Sequence, residues 1–356
     1  MNASADPRAR RGGSARARIQ RRQLAAVVLA ACVVTPIFNV LTSEATLAEA
    51  IQGVVDAIVI PVLAGGYLMF VRDGWLREWF RRLSFGANLA ISGTILLTLF
   101  LVGRAVGKVV TTGDPRRFVT SFTEAHLVYA LPFFIVLAFA TQFLLQMNRM
   151  IGASVVRYFV AGVYHRPRTE ERIFLFLDLA DSTALAERLG SARYFEMLRR
   201  VVDSLTEPIL EAQGDIYQYA GDEVVITWPL GTGVRHANCI RCFFSVRDVI
   251  AGAAARYEHD FGVLPHFRAG LHGGVVTAGE LGDLRQQIVF VGDILNTAAR
   301  LEEYAKRSGL DLVVSGVLLE RLALPSGVEA RRCGELELRG KEERVDAYSL
   351  SGGPSP

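Results

Sequence analysis

Four long apolar runs, at roughly 24–42, 54–71, 86–107 and 126–146, restrict what this chain can fold into more than any other feature. Each is about long enough to cross a hydrocarbon core of ~30 Å as a helix. Arginines punctuate them. Arg8, Arg10, Arg11, Arg16, Arg18, Arg21 and Arg22 precede the first run. Arg72, Arg77, Arg81 and Arg82, with Trp75 and Trp79, lie between the second and third, and Arg149, Arg157, Arg166 and Arg168 follow the fourth. The segment TSEATLAEA after the first run has no basic residue, and the loop 108–124 is mixed. The bias of basic residues toward the cytoplasmic side then predicts a multi-pass protein of the plasma membrane with both termini in the cytoplasm. A cleaved signal peptide competes for the first run, but that run is longer than a usual signal core and further spans follow it. The expectation is a basic segment over 1–23 and an all-α, four-helix transmembrane domain over 24–146, with the lipid bilayer as a partner.

The formal net charge of +3 comes entirely from the arginine-rich start, so the remainder is near neutral. Nothing in it suggests a groove for a polyanion, and no nucleic-acid partner is expected. Cys239 and Cys242 form an isolated C-x-x-C on a segment of helical periodicity, with no second Cys/His pair at zinc spacing, which favours reduced packing cysteines.

Residues 147–171 alternate apolar and basic residues and break at Pro167, the pattern of a transducing linker helix leading to a soluble domain over 172–350, with a flexible tail at 351–356. That domain opens with RIFLFLDL, a continuous apolar run typical of a strand buried on both faces. ADSTALAERLG starts a helix, with Ser182 or Thr183 as candidate N-cap, and VVDSLTEPILEAQG continues as helix. YQYAGDEVVITW reads as a hairpin and 235–258 as one helix. HFRAGLHGGVVTAGEL reads as a strand and a glycine-bearing turn, and QIVFVG as a further strand. DILNTAARLEEYAKRSG is a clear helix, and a strand, a helix and two strands close the chain. This is a mixed α+β pattern centred on a ferredoxin-like, split βαβ palm core.

Asp178 ends the buried run IFLFLDL, where a charge is costly unless compensated. Asp222 sits at the tip of the hairpin. Two aspartates at the ends of neighbouring central strands would hold hard divalent ions through oxygen ligands. Two such ions ~3.5–4 Å apart activate an attacking oxygen and steady a leaving phosphate. Asp181, closer to the helix start, suits a capping role better. The turn after Asp178 leads into a helix N-terminus, whose free N–H groups can receive phosphate, so carboxylates and amides together suggest a nucleoside triphosphate. Asn296 and Arg300, four apart, project from one helix face. Lys341 follows a glycine in the final hairpin.

In order, FLFLDLADST, YQYAGDEVVITW, FRAGLHGGVVTAGELGD, VFVGDILNTAARLE and LRGKEE resemble the catalytic domain of class III nucleotide cyclases, from about Arg172 to Leu350. The resemblance implies Asp178 and Asp222 as ligands of two Mg²⁺ or Mn²⁺ ions per active site, with the Leu179 carbonyl as a further ligand. It implies Asn296 as orienter of the ribose, Arg300 as stabiliser of charge on the α-phosphate, and Lys341 as holder of the terminal phosphates, with Ser182 and Thr183 at the helix start as the phosphate-binding residues read above. The implied reaction is in-line attack of a 3′-hydroxyl on the α-phosphorus of ATP with loss of pyrophosphate. The implied assembly is a head-to-tail homodimer whose sites each draw on both chains.

Two positions that set base choice in that family depart from its usual pairs: Gln218 and Val289. A glutamine amide both donates and accepts, and valine offers only shape, so GTP remains an alternative to ATP. Two other readings compete. Diguanylate cyclases share the AGDEVV turn but need no NTAAR helix. A catalytically silent membrane receptor would be expected to lose one of Asp178, Asp222, Asn296 or Arg300, and all four are present.

Overall fold

The computed structural model describes residues 47–122, 126–151, 155, 158–159, 161–283, 286–337 and 344–353. The basic segment, the first apolar run and Lys341 lie outside the described residues. Two compact units divide between Val156 and Arg157.

The first unit is helical: α1 (Leu47–Gly66), α2 (Arg77–Arg82), α3 (Phe85–Thr112), α4 (Arg117–Thr120) and α5 (His126–Ile151). A π-helical stretch, Tyr67–Trp75, continues α1, so much of the expected loop between the second and third runs is helix. The start of α3 is fixed by Ser84, whose side chain accepts from the Ala87 amide, and its end by Gly113 at φ 70°. Ile51–Arg72 and Phe85–Thr112 are long and apolar enough to cross a membrane, and only about a third of each is buried. Within α5 the apolar stretch Phe134–Met147 is shorter.

The second unit is built on one sheet. Its strands are β1 (Arg168–Leu179), β2 (Asp215–Ala220), β3 (Glu223–Pro229), β4 (Phe267–Leu281), β5 (Gln287–Val291), β6 (Leu312–Ser315), β7 (Val328–Glu337) and β8 (Arg344–Gly352). The order is β2-β3-β1-β4-β6-β8-β7, with β5 added to β4. Helices α6 (Ser182–Leu189) and α7 (Ser191–Glu211) connect β1 to β2. Next come α8 (Leu230–Val234), α9 (Asn238–Gly252) and α10 (Ala254–Phe261), which connect β3 to β4; α11 (Asp293–Ser308) and the short α12 (Gly316–Leu319) flank β6. The segment β2-β3-β1-β4, antiparallel throughout, is the expected split βαβ palm.

The alternation of β1 sorts its side chains. Ile173, Leu175, Leu177 and Leu179 enter a core shared with Met197, Val201 and Leu205 of α7 and Phe243 and Val246 of α9. Cys239 and Cys242 lie in this core too, and burial pushes both thiols up, Cys239 to about 12. Phe174 and Phe176 face the other way, toward Phe290, Ile294 and Ala298. Each such side chain contributes ~1.5–3 kcal/mol by burial. On this second face Arg172, 2% exposed, is compensated by Glu170 (2.9 Å) and Thr227 (3.1 Å) and stacks over Phe290. Tyr164 donates to Glu170 and packs between Tyr158 and Phe290, which seats the segment entering the unit on its core.

Four sequence expectations need correction. β1 begins at Arg168, inside the expected linker, because it pairs with β4 over all 12 of its residues. β4 is one strand of 15 residues rather than a strand and turn, held extended by that same ladder. The expected helix over 235–258 is split, because His236 and Ala237 carry positive φ and Ala253 interrupts α9 and α10. β8 runs to Gly352, where Val328 pairs with it, so the first residues of the expected tail are strand.

Candidate active site

The hairpin β2–β3 turns through Gly221 and Asp222 alone, with Ala220 paired to Glu223. Such a two-residue turn demands positive φ at its first position, and Gly221 supplies it at 67°. Leu177 pairs with Val224, which puts Asp178 at the level of this turn. The chain thus brings Asp178 and Asp222 to one end of the central strands. Burial raises Glu223 and Tyr194, and the fields of both carboxylates raise each further.

Asp178 is 8% exposed. Its Oδ2 accepts from Lys306 Nζ at 2.9 Å. Arg268 is its register partner on β4, so the two side chains leave the sheet on the same face. Asp222 Oδ2 is buried with no hydrogen-bond partner. A buried carboxylate oxygen without a donor is costly. An ammonium already on one carboxylate and an orphaned oxygen on the other are what a cation site would present, so these residues fit a divalent ion. Among the described residues no group of three or more His, Cys, Asp or Glu side chains is arranged to hold a metal, so protein side chains offer this pair and little more.

Helix α11 lies against β4 at Gly270. A Cβ there would collide with the backbone of Ala298 and Glu302, so glycine sets the spacing between helix and sheet. Glu302, 9% exposed, faces the carboxylate end; burial first, then Asp178, pushes it up to about 7. Asn296 is exposed and Arg300 half-buried. At 3.6 residues per turn Arg300 and Glu302 project about 160° apart. Within one chain, therefore, Asn296 and Arg300 project from a different side of α11 than Glu302, about 120° and 160° round the helix from it.

The other expected site residues are distributed as follows. Leu179 ends β1 with its side chain in the core. Asp181 takes the N-cap position of α6 at φ 56°, but makes no side-chain cap hydrogen bond, against the capping role expected of it. Ser182 and Thr183 are the first residues of α6, not its cap, where amides have no intrahelical partner. Gln218 is exposed on β2 and Val289 half-buried on β5. Their neighbours Tyr217 and Phe290 meet edge to face at 5.2 Å, so the two strands converge. Lys341 lies outside the described residues. Lys306 and Arg268 escaped sequence reasoning. The available signal was a cation one turn beyond Glu302, and an arginine placed to pair with the end of β1.

A cleft of about 490 Å³ lined by His272, Asp293, Thr297, Glu320 and Asp346 lies elsewhere. His272 is four positions along β4 from Arg268, ~13 Å at strand rise.

The sequence profile of the adenylate and guanylate cyclase catalytic domain matches residues 164–352. The chain belongs to this family. Adenylate cyclase 2 of Rhizobium meliloti is 40% identical over 211 residues, 59% of this chain and 58% of that protein. Retinal guanylyl cyclase 1 of Mus musculus is 28% identical over 211 residues, 58% of this chain and 19% of that protein. The chain thus spans less than two thirds of the length of these curated relatives. A bacterial light-regulated adenylyl cyclase shares the fold, with a TM-score of 0.54 at 19% identity, covering 63% of this chain and 66% of that one. The cyclase-family match starts four residues before β1, at the buried Tyr164.

Proposed function

We propose that this protein is a membrane-anchored nucleotide cyclase that converts ATP to 3′,5′-cyclic AMP and pyrophosphate. The observation that carries the reading is Asp178 beside the orphaned Asp222 Oδ2 at one end of the sheet, while Asn296 and Arg300 project from a different side of α11. A site that needs both sets is then completed by a second copy of the chain, giving a head-to-tail homodimer with two equivalent sites. The 40% identity to an adenylate cyclase supports ATP as substrate.

In this mechanism Asp178 and Asp222, with the Leu179 carbonyl, hold divalent cations. Bound there, such ions supply charge neutralisation and polarisation of oxygen. The free amides at the start of α6, beside Ser182 and Thr183, receive phosphate oxygens. From the other chain, Asn296 orients the ribose and Arg300 opposes the charge that grows on the α-phosphate. Lys341 binds the terminal phosphates. The 3′-oxygen bonds to the α-phosphorus, its proton leaves to solvent, and the bond from α-phosphorus to the pyrophosphate oxygen breaks. The protein's part is positioning and electrostatics. Gln218 and Val289 line the base.

We assign the helical unit to the plasma membrane, with 147–167 linking it to a cytoplasmic catalytic unit. The arginine pattern and the two long apolar helices support this.

The test is turnover of full-length protein with ATP and with GTP, each with Mg²⁺ and Mn²⁺, beside Asp222→Ala. Cyclic AMP that disappears in the variant is the expected result. Cyclic GMP alone would reverse the base assignment, and no cyclic product from a folded dimer would overturn the reading.

A further inference from the structure

Lys306 is placed where an ordinary surface lysine would not need to be. It shares a face of α11 with Glu302, four residues earlier, and Gly270 holds that face close to the sheet. Around it stand four carboxylates: Asp178, Asp222, Glu223 and Glu302. Their fields act on one another and on Lys306. Two of them, Asp222 and Glu302, keep a buried oxygen with no hydrogen-bond partner. Lys306 Nζ touches only one of the four in this arrangement, Asp178 at 2.9 Å. Its own side chain is 50% exposed, while that of Asp178 is 11% exposed. The lysine can swing into solvent; the aspartate cannot.

We propose that Lys306 is a positioning residue that acts as the built-in counter-ion of the carboxylate site. It holds Asp178 against the repulsion of its neighbours and must leave Oδ2 when a divalent cation binds, so it sets the cation affinity of the site. The proposal rests on the reading of Asp178 and Asp222 as cation ligands. Lysine suits the task because its ammonium is a single point charge on a flexible stem, whereas an arginine could clamp the carboxylate through two parallel hydrogen bonds. A half-exposed ion pair is also weak, so a divalent ion can displace it. A lysine that only decorated the surface would leave cation affinity unchanged.

The experiment uses full-length protein in detergent without nucleotide, with Mn²⁺ alone as the probe. Binding is read by calorimetry and by the Mn²⁺ paramagnetic resonance signal, and thermal unfolding is followed with chelator and with Mn²⁺. Lys306→Met, which keeps the stem and removes the charge, is expected to bind Mn²⁺ roughly tenfold tighter. Its Tm in chelator should fall, and its gain on adding Mn²⁺ should exceed that of the wild type. Lys306→Arg should bind Mn²⁺ no more tightly than the wild type, and Lys306→Gln repeats the test should the Met variant misfold. Unchanged or weaker Mn²⁺ binding in Lys306→Met and Lys306→Gln overturns the proposal, provided Asp222→Asn abolishes binding. If Asp222→Asn binds Mn²⁺ like the wild type, the carboxylates are not the ligands, and the proposal falls with that reading.

Discussion

The two faces of the central sheet differ in kind. Toward α7 and α9 the sheet buries no charge in its core: Leu175, Leu177, Ile226 and Leu271 are fully buried among apolar side chains. Toward α11 the same strands carry Arg172, Asp178, Arg268 and His272 among aromatic rings and glycines. One face could be repacked with other hydrocarbons of equal volume at modest cost. The other depends on named charges in named places. Stability and chemistry are thus assigned to alternate residues of the same strands, and the period of two in β1 is what keeps them apart.

The sharpest way to break this comparison is on α11. Arg300→Ala should lower kcat roughly 10²–10³-fold, the usual loss for a group that opposes developing charge. Its Tm should stay near that of the wild type, because the side chain lies off the packed face. A parallel loss of Tm and activity would erase the distinction. On the dry face, Leu177→Ala should cost ~2–5 kcal/mol through the cavity it leaves. Thermal unfolding should show it, with KM for nucleotide unchanged in the folded fraction.

Gly270→Ala tests the seam between the faces. The added methyl meets α11 backbone, and such overpacking costs typically ~1–3 kcal/mol. Here kcat should fall along with Tm, because α11 is pushed from its place.

The smallest effect concerns pH. Burial and Asp178 raise Glu302 from 4.5 to about 7 in the folded state. Its contribution to stability is fully present below pH 4.5, where both states hold the proton, and is lost as pH rises through 7. Glu302→Gln keeps a neutral group at every pH. In chelator it should raise Tm at pH 8 by an amount worth ~1–3 kcal/mol and flatten the decline between pH 5 and 8.

Much of this is legible in the sequence alone. The unbroken apolar run into Asp178 identified a central strand, and AGDE identified its neighbouring hairpin, because each pattern has one economical backbone solution. β4 is legible only in part. HFRAGLHGGVVTAGEL reads as a strand and a glycine-bearing turn, since glycine weakens strands; only the ladder to β1 and the approach of α11 explain one unbroken strand there. Lys306 was invisible for a different reason. On a helical wheel it is one more polar residue past Glu302, and its partner lies 128 residues away in sequence. Helix periodicity shows which face is apolar, but not which exposed cation a distant strand will claim.

Helix α11 has a mechanical consequence. Glu302 and Lys306 on one side read the state of the chain's own carboxylates, and Asn296 and Arg300 on the other are offered outward. From 296 to 306 the helix spans ~15 Å. Gly270 leaves no cushion between this helix and the sheet, so α11 cannot shift without β4. In the proposed dimer, one helix would therefore serve two pockets, steadying the carboxylates of its own chain while lending Asn296 and Arg300 to its twin.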